Sequence, residues 1–138
     1  MIRHFKDERF LVFPDRSPAA EHHYLVITKV GRQISSHIPS LLCLLCKQEC
    51  IKDVQSLGRD DIQMVRDMEE LGLRVLGEQG SDVNKAMTGF HWPLHTVSHL
   101  HMHIISPSDN IRFFKKVEFS RMLFGSTQAA IEMMEKKH

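Results

Sequence analysis

The amino-acid sequence predicts a single α+β domain, and three observations carry that expectation. Two β-prone runs near the start are separated by prolines, a long amphipathic helical period fills the middle, and a strand alternating histidine with aliphatic residues follows it. A chain of 138 residues suits one domain over 1–138, large enough to enclose an apolar core and too small for two. Neither an internal repeat nor a low-complexity tract is visible.

Arg9-Phe10-Leu11-Val12-Phe13 is rich in β-formers and stops at Pro14-Asp15. Tyr24-Leu25-Val26-Ile27-Thr28 is the second run, and Pro18 between them implies an irregular connection. From Asp60 onward Ile62, Val65, Met68, Leu71 and Val75 recur at spacings of three and four, with an Asp pair ahead of them and Gly77 and Gly80 beyond, which predicts a long helix. Residues 85–91 read as a strand closed by Trp92-Pro93. Residues 97–106 read as a stronger one closed by Pro107 and the Asp109-Asn110 turn signal. Ser126 is a candidate N-cap for a short C-terminal helix, whose Lys136-Lys137 complements the helix dipole.

Lys and Arg number 18 against 17 Asp and Glu, a formal net charge of +1, so no global field draws the chain to nucleic acid or anionic lipid. Any phosphate recognition must be local. The longest apolar run, 41–45, is too short to cross a bilayer, and the first seven residues lack the apolar stretch of a secretory signal. A soluble protein, cytoplasmic first and nuclear second, with no membrane partner, is the expectation. Cys43, Cys46 and Cys50 suit reduced thiols better than a disulfide framework, and only His37 lies near enough to help them hold zinc.

The chemistry concentrates in His99-Leu100-His101-Met102-His103-Ile104-Ile105. On a strand, alternate residues share a face, so the three imidazoles are expected on one side and the aliphatic residues in the core. From the residues alone three uses stay open. The rings can be core histidines, they can ligate zinc with His23 as a further ligand, or they can do nucleophilic and proton-transfer chemistry near neutral pH. No acidic residue lies between Lys85 and Ser108 to orient metal-bound imidazoles.

This His-φ-His-φ-His-φ-φ pattern, φ being apolar, resembles the signature of the histidine triad (HIT) superfamily, and 99–105 match it at every position. Asp15, Pro18 and then His23 directly before Tyr24-Leu25-Val26 resemble the superfamily's second hallmark. His22-His23-Tyr24-Leu25-Val26 and Gly89-Phe90-His91, followed by Ser98-His99-Leu100-His101, are most similar to the type-3 branch of histidine triad nucleotide-binding proteins. Aprataxin is similar over the same stretch. Aprataxin-like proteins follow this domain with a zinc finger that grips DNA, and no such cysteine and histidine set precedes His138, so nucleic acid is not an expected partner.

The resemblance implies a HIT-like fold and hydrolysis of a purine nucleoside phosphoramidate, of the AMP-NH2 or aminoacyl-AMP type, through a nucleotidylated His101. It implies that His99 orients that nucleophile, that His103 donates to a phosphate oxygen or the leaving group, and that His23 stands for the fourth histidine of a proton relay. His22, one residue away, alternates to the other face. Asp15 would accept from both ribose hydroxyls, Thr96 would place a hydroxyl near the leaving group, and Phe13 and Leu25 would wall the base. Taken alone, that Asp could instead merely cap a turn before Pro18, and each of those two apolar residues is more often simply core. No metal or cofactor is expected, and a homodimer or larger homo-oligomer is. Competing readings are a noncatalytic nucleotide-binding scaffold, an aprataxin-like DNA deadenylase and a His-ligated metal enzyme. The sequence departs from the family in three ways: it starts at about the first strand, where members usually have a helix, it carries Arg16 where many have an aliphatic residue, and it contains an apparent insertion over about 30–49.

Overall fold

A computed structural model of the chain describes residues 5–28, 53–92 and 99–137. The segment read as an insertion, Cys43, Cys46 and Cys50, and Thr96 lie outside the described residues. Strands β1 (Phe5–Lys6), β2 (Phe10–Pro14) and β3 (His22–Thr28) come first; then helix α1 (Ile62–Glu78), strands β4 (Met87–His91), β5 (His101–Ser106) and β6 (Phe124–Ser126), and helix α2 (Thr127–Glu135). The six strands form one sheet in the order β1-β2-β3-β5-β4-β6. All neighbouring pairs are antiparallel.

The expected α+β architecture is therefore present, with the histidine-bearing strand near the centre of the sheet. Both helices cover one face. Val12, Val26, Met102, Ile104 and Phe90 of the strands bury against Val65, Met68, Val75 and Leu76 of α1 and Ile131 and Met134 of α2. Apolar residues at spacings of three and four put a stripe of α1 on the sheet, as the sequence predicts. Gly72 lets that helix come close, because a Cβ there would lie 2.6 Å from the Cγ1 and Cδ1 of Ile104. Ser126 caps α2 as expected, its hydroxyl accepting from the Ala129 N–H at 3.1 Å.

Several elements differ from the sequence expectation. β5 begins at His101, so His99 and Leu100 precede the strand. The His99 carbonyl is turned onto the side chain of His101, which takes it out of ladder pairing. α1 runs through Gly77 to Glu78, and the reversal comes at Gly80, whose φ of 83° suits a residue without a Cβ. β1 and β6 are further strands at the two edges, each too short to leave a local signal.

Gly72→Val is expected to destabilise the fold by about 1–3 kcal/mol through overpacking against Ile104. Gly58→Ala, where an added Cβ meets nothing within 4 Å, should stay within about 0.5 kcal/mol of the parent. Urea unfolding of the two variants checks the difference.

Candidate active site

The sheet face turned away from the helices carries the histidines. His103 of β5 pairs with Leu25 of β3, and Leu25 pairs with Phe13 of β2, so these three side chains share that face. His101 pairs with Ile27, two residues along on the same side. His23 stands on this face too, whereas His22 alternates away from it and lies 3.9 Å from Glu21 Oε1. Ala19, Ala20, Ile105, Phe119 and Phe124 form a small second apolar cluster on this side of the sheet.

Hydrogen-bond polarity fixes where the protons sit. The Ala19 N–H donates to His23 Nδ1 at 2.9 Å, and a backbone N–H can only donate, so neutral His23 carries its proton on Nε2. That Nε2–H donates to His103 Nδ1 at 2.8 Å. His103 in turn carries its proton on Nε2, a buried donor with no partner among the described residues. His101 Nδ1–H donates to the His99 carbonyl at 2.8 Å, which leaves the Nε2 lone pair of His101 unshared. His99 Nε2–H donates to the Thr28 carbonyl at 3.1 Å and so anchors the turn into β5 to the end of β3.

Burial keeps the central rings neutral. His23 and His103 are each 4% exposed. Burial lowers the His23 pKa to about 4, with the Asp15 carboxylate opposing the shift and Lys115 adding to it. His103 is held well below the usual imidazole value, again by burial first and then by His23, His91, His101 and Lys115. Asp15 Oδ1 accepts from the Ser17 N–H at 2.7 Å, and Oδ2 lies 3.5 Å from His23 Nε2. A carboxylate has further acceptor capacity beyond those contacts, so the turn and a ligand can share it.

Among the described residues, Asp15, His23 and His103 also form a group whose ligand atoms lie close enough for a metal, all within 4.8 Å of one another. Their hydrogen bonding does not suit one. Two imidazole nitrogens on tetrahedral zinc stand roughly 3.3 Å apart with both lone pairs directed at the ion. Here they face each other at 2.8 Å across one proton, and the other nitrogen of His23 is taken by the Ala19 N–H.

Of the residues expected at the site, the structure brings together His23, His101, His103, Asp15, Phe13 and Leu25. It sets His99 at the strand entrance, and Thr96 is outside the described residues. Three neighbours have no role in the site on the sequence reading. His91 packs edge-on to His103 with ring centroids 4.6 Å apart, and its Nδ1–H donates to the Leu123 carbonyl at 3.1 Å. Phe119 lies against His23, His91 and His103 at 5.5, 4.8 and 5.3 Å, and Phe124 lies 5.9 Å from His103. The signal for His91 was its place at the end of a strand with Gly89 before it, which antiparallel pairing with β5 turns to the histidine face.

An antiparallel sheet with helices on one face and interlocked neutral imidazoles on the other defines a histidine-triad type of protein. The family model described as scavenger mRNA decapping enzyme C-term binding matches residues 2–41 and 39–118. The chain is 34% identical over 133 residues to adenosine 5'-monophosphoramidase HINT3 of Danio rerio, covering 95% of this chain and 71% of that protein. It is 33% identical over 118 residues to the Mus musculus protein of the same name, covering 84% of this chain and 60% of that one. The chain belongs to the histidine triad superfamily. A HIT family hydrolase from Clostridium thermocellum shares the fold, with a TM-score of 0.54, 22% identity and 76% of each chain covered. No helix of the described residues is long and apolar enough to cross a membrane.

The depressed histidine pKa values make stability depend on pH. An unfolded His titrates near 6.5, whereas His23 in the fold titrates near 4, so between those values the unfolded chain binds the extra proton. Stability from this group is present above about pH 6.5 and is lost as pH falls towards 4. Thermal unfolding between pH 7.5 and 4.5 should give a declining midpoint, and His23→Phe should flatten that slope by up to about 1.4 kcal/mol per pH unit. An unchanged slope in the variant contradicts this assignment.

Proposed function

We propose that the chain hydrolyses purine nucleoside phosphoramidates, such as adenosine 5'-phosphoramidate or an aminoacyl-adenylate, with His101 as nucleophile. The observation that carries this reading is the bond from His101 Nδ1–H to the His99 carbonyl, which commits the opposite nitrogen to be a lone pair. Relatives named as adenosine 5'-monophosphoramidases in fish and mouse support the choice of substrate.

In the first step the His101 Nε2 lone pair attacks the α-phosphorus, and the P–N bond to the leaving amine breaks. In the second, water attacks the nucleotidyl-histidine and releases the nucleoside monophosphate. The unpartnered Nε2–H of His103 is suited to a non-bridging phosphate oxygen, an acceptor whose charge spreads in the transition state. His23 acts through His103 by holding its tautomer, and His99 positions His101 through its carbonyl. Asp15 accepts from the ribose hydroxyls, and Phe13 and Leu25 flank the base. The Thr96 hydroxyl serves the leaving group. This chemistry uses no metal or cofactor, and the expected working form is a homodimer in the cytoplasm or nucleus. A noncatalytic nucleotide-binding scaffold would not need the lone pair that His101 keeps, and a DNA deadenylase would need a nucleic-acid grip that a net charge of +1 does not supply.

His101→Ala is expected to lower turnover of adenosine 5'-phosphoramidate by at least about a thousandfold while AMP still binds. Mass spectrometry of wild-type protein quenched during turnover should place the adenylyl group on the peptide containing His101. Turnover without any adduct there contradicts the reading.

Asp15→Asn keeps an acceptor for the Ser17 N–H but loses the carboxylate charge. It should raise KM for the ribonucleotide substrate by roughly tenfold, the scale of one charged hydrogen bond. The 2'-deoxy analogue, which lacks the partner hydroxyl, should be affected much less. Equal losses on both substrates would remove Asp15 from the ribose.

A further inference from the structure

Phosphoramidate hydrolysis moves one proton to the departing amine and takes one from water. The rings packed around His103 restrict which group can carry it. His103 has His23, His91 and His101 as ring neighbours at 5.1, 4.6 and 5.1 Å. If His103 gave up its Nε2 proton it would have to be refilled through Nδ1 by His23. His23 ends at the Ala19 N–H, a donor that cannot pass a proton on, and at the Asp15 carboxylate, an acceptor. The His103–His23 chain therefore holds a geometry and delivers no net proton.

Of these four rings, two keep a lone pair: His101 at Nε2, the nucleophile, and His91 at Nε2. His91 Nδ1–H is committed to the Leu123 carbonyl, and its Nε2 has no partner among the described residues. The β4–β5 pairs run from Met87 with Ile105 to Gly89 with His103, and His91, two residues beyond Gly89, turns to the same face, where its ring packs on His103 and lies near enough to His101 to feel its charge. Alternate strand residues project to the same face, so β4 delivers His91 to the histidine side, where it and the nucleophile both flank His103 at 4.6 and 5.1 Å.

We propose that His91 is the proton carrier of the reaction, a role that rests on the phosphoramidase reading above. As imidazolium it donates Nε2–H to the leaving amine, and as imidazole it takes a proton from the attacking water. In the first step the His101 Nε2–P bond forms, the P–N pair returns to the amine nitrogen with the His91 proton, and the positive charge passes to nucleotidyl-His101. In the second step the water oxygen–P bond forms, the P–Nε2 pair returns to His101, one water proton goes to His91 and the other stays with the phosphate. The enzyme ends as it began.

The surroundings of His91 suit a group that must hold either state. It is half-buried, so burial lowers its pKa, but the Leu123 carbonyl and Glu118 favour the charged ring, while His101 and Lys115 oppose it. His103 and His23 on the remaining side stay neutral through burial. His91 is accordingly displaced less than His103.

The test uses His91→Asn, whose carboxamide N–H can still reach the Leu123 carbonyl, with His91→Gln as the second variant. Two adenosine 5'-phosphate derivatives serve as probes: an alkyl phosphoramidate, whose amine needs a proton, and the p-nitrophenyl ester, whose leaving group needs none. Rapid-quench kinetics should show adenylylation by the phosphoramidate falling about 100-fold or more. The nitrophenolate burst should stay within about threefold of wild type, with adenylyl-His101 then accumulating because its hydrolysis has slowed. Added imidazole should restore that hydrolysis. Wild-type adenylylation by the phosphoramidate should fall as pH rises above the His91 pKa, and the variant should lack this limb. Equal slowing of both bursts, or of neither, overturns the role of His91 while leaving the nucleophile in place. A wild-type protein that never forms the His101 adduct overturns the parent reading and this role together. Thermal midpoint and AMP affinity of each variant report whether its fold is intact.

Discussion

A backbone N–H can only donate and a backbone carbonyl can only accept, and the site depends on that asymmetry. A neutral imidazole has one donor and one acceptor nitrogen, so fixing either end fixes the other. The Ala19 N–H makes His23 a donor towards His103, the His99 carbonyl leaves His101 an acceptor at Nε2, and the Leu123 carbonyl does the same for His91. The peptide groups thus give chemically identical side chains two opposite assignments, a donor at His23 and acceptors at His101 and His91. The assignment holds only while the rings are uncharged, since protonation would make both nitrogens donors. Burial secures this by lowering the pKa of His23 and His103, so dryness and tautomer support one another.

The sheet separates structural from chemical demands by a period of two. Along β5, Met102 and Ile104 are buried in the helix-covered core, while His101 and His103 face the other way. Both faces therefore constrain the same six residues, and a slip of one position would put imidazoles under α1 and aliphatic groups in the site. The close approach of α1 at Gly72 onto Ile104 and Val26 pins the two central strands that carry the site. A rigid platform of this sort is what a nucleophile needs if its lone pair is to meet phosphorus in line.

Periodicity made much of this legible in advance. The stripe from Ile62 to Val75 repeats every three to four residues over several turns, and the triad repeats every two, so both elements were visible without any long-range information. Asp15 was visible only through the family pattern, because nothing local tells a turn-capping aspartate from a ligand, and the residues alone offered His23 only as a further metal ligand. The places of His91 and Phe119 in the site stayed hidden for a physical reason. His91 acquires meaning only when β4 aligns beside β5, and Phe119 sits in a stretch where Phe113, Phe114 and Val117 are largely exposed, so hydrophobicity alone did not single it out. β6 is equally non-local. Its three residues are a strand because Gly89 to His91 pair with them, and Gly125 is small because the Trp92 ring lies where its Cβ would be. His99 shows the limit of reading alternation literally, since its backbone serves as a hydrogen-bond acceptor for its own neighbour before the strand begins.

Dry imidazoles are good at holding a geometry and poor at carrying charge, and this sets a division of labour. His23 and His103, almost wholly buried, would have to accept charge in a place where burial opposes it most. His91, half-buried and backed by a carbonyl and Glu118, faces a smaller penalty. On the proposed reading, the arriving phosphate changes the balance in favour of the charged form, because an anion beside an imidazole stabilises the imidazolium. The free site is thus weighted towards neutral rings, with one nucleophilic lone pair ready at His101. The bound substrate supplies the charge that allows His91 to hold a proton beside the bond that must break. A site built this way needs the nucleotide itself to complete its acid, which couples recognition of the phosphate to cleavage of the group attached to it.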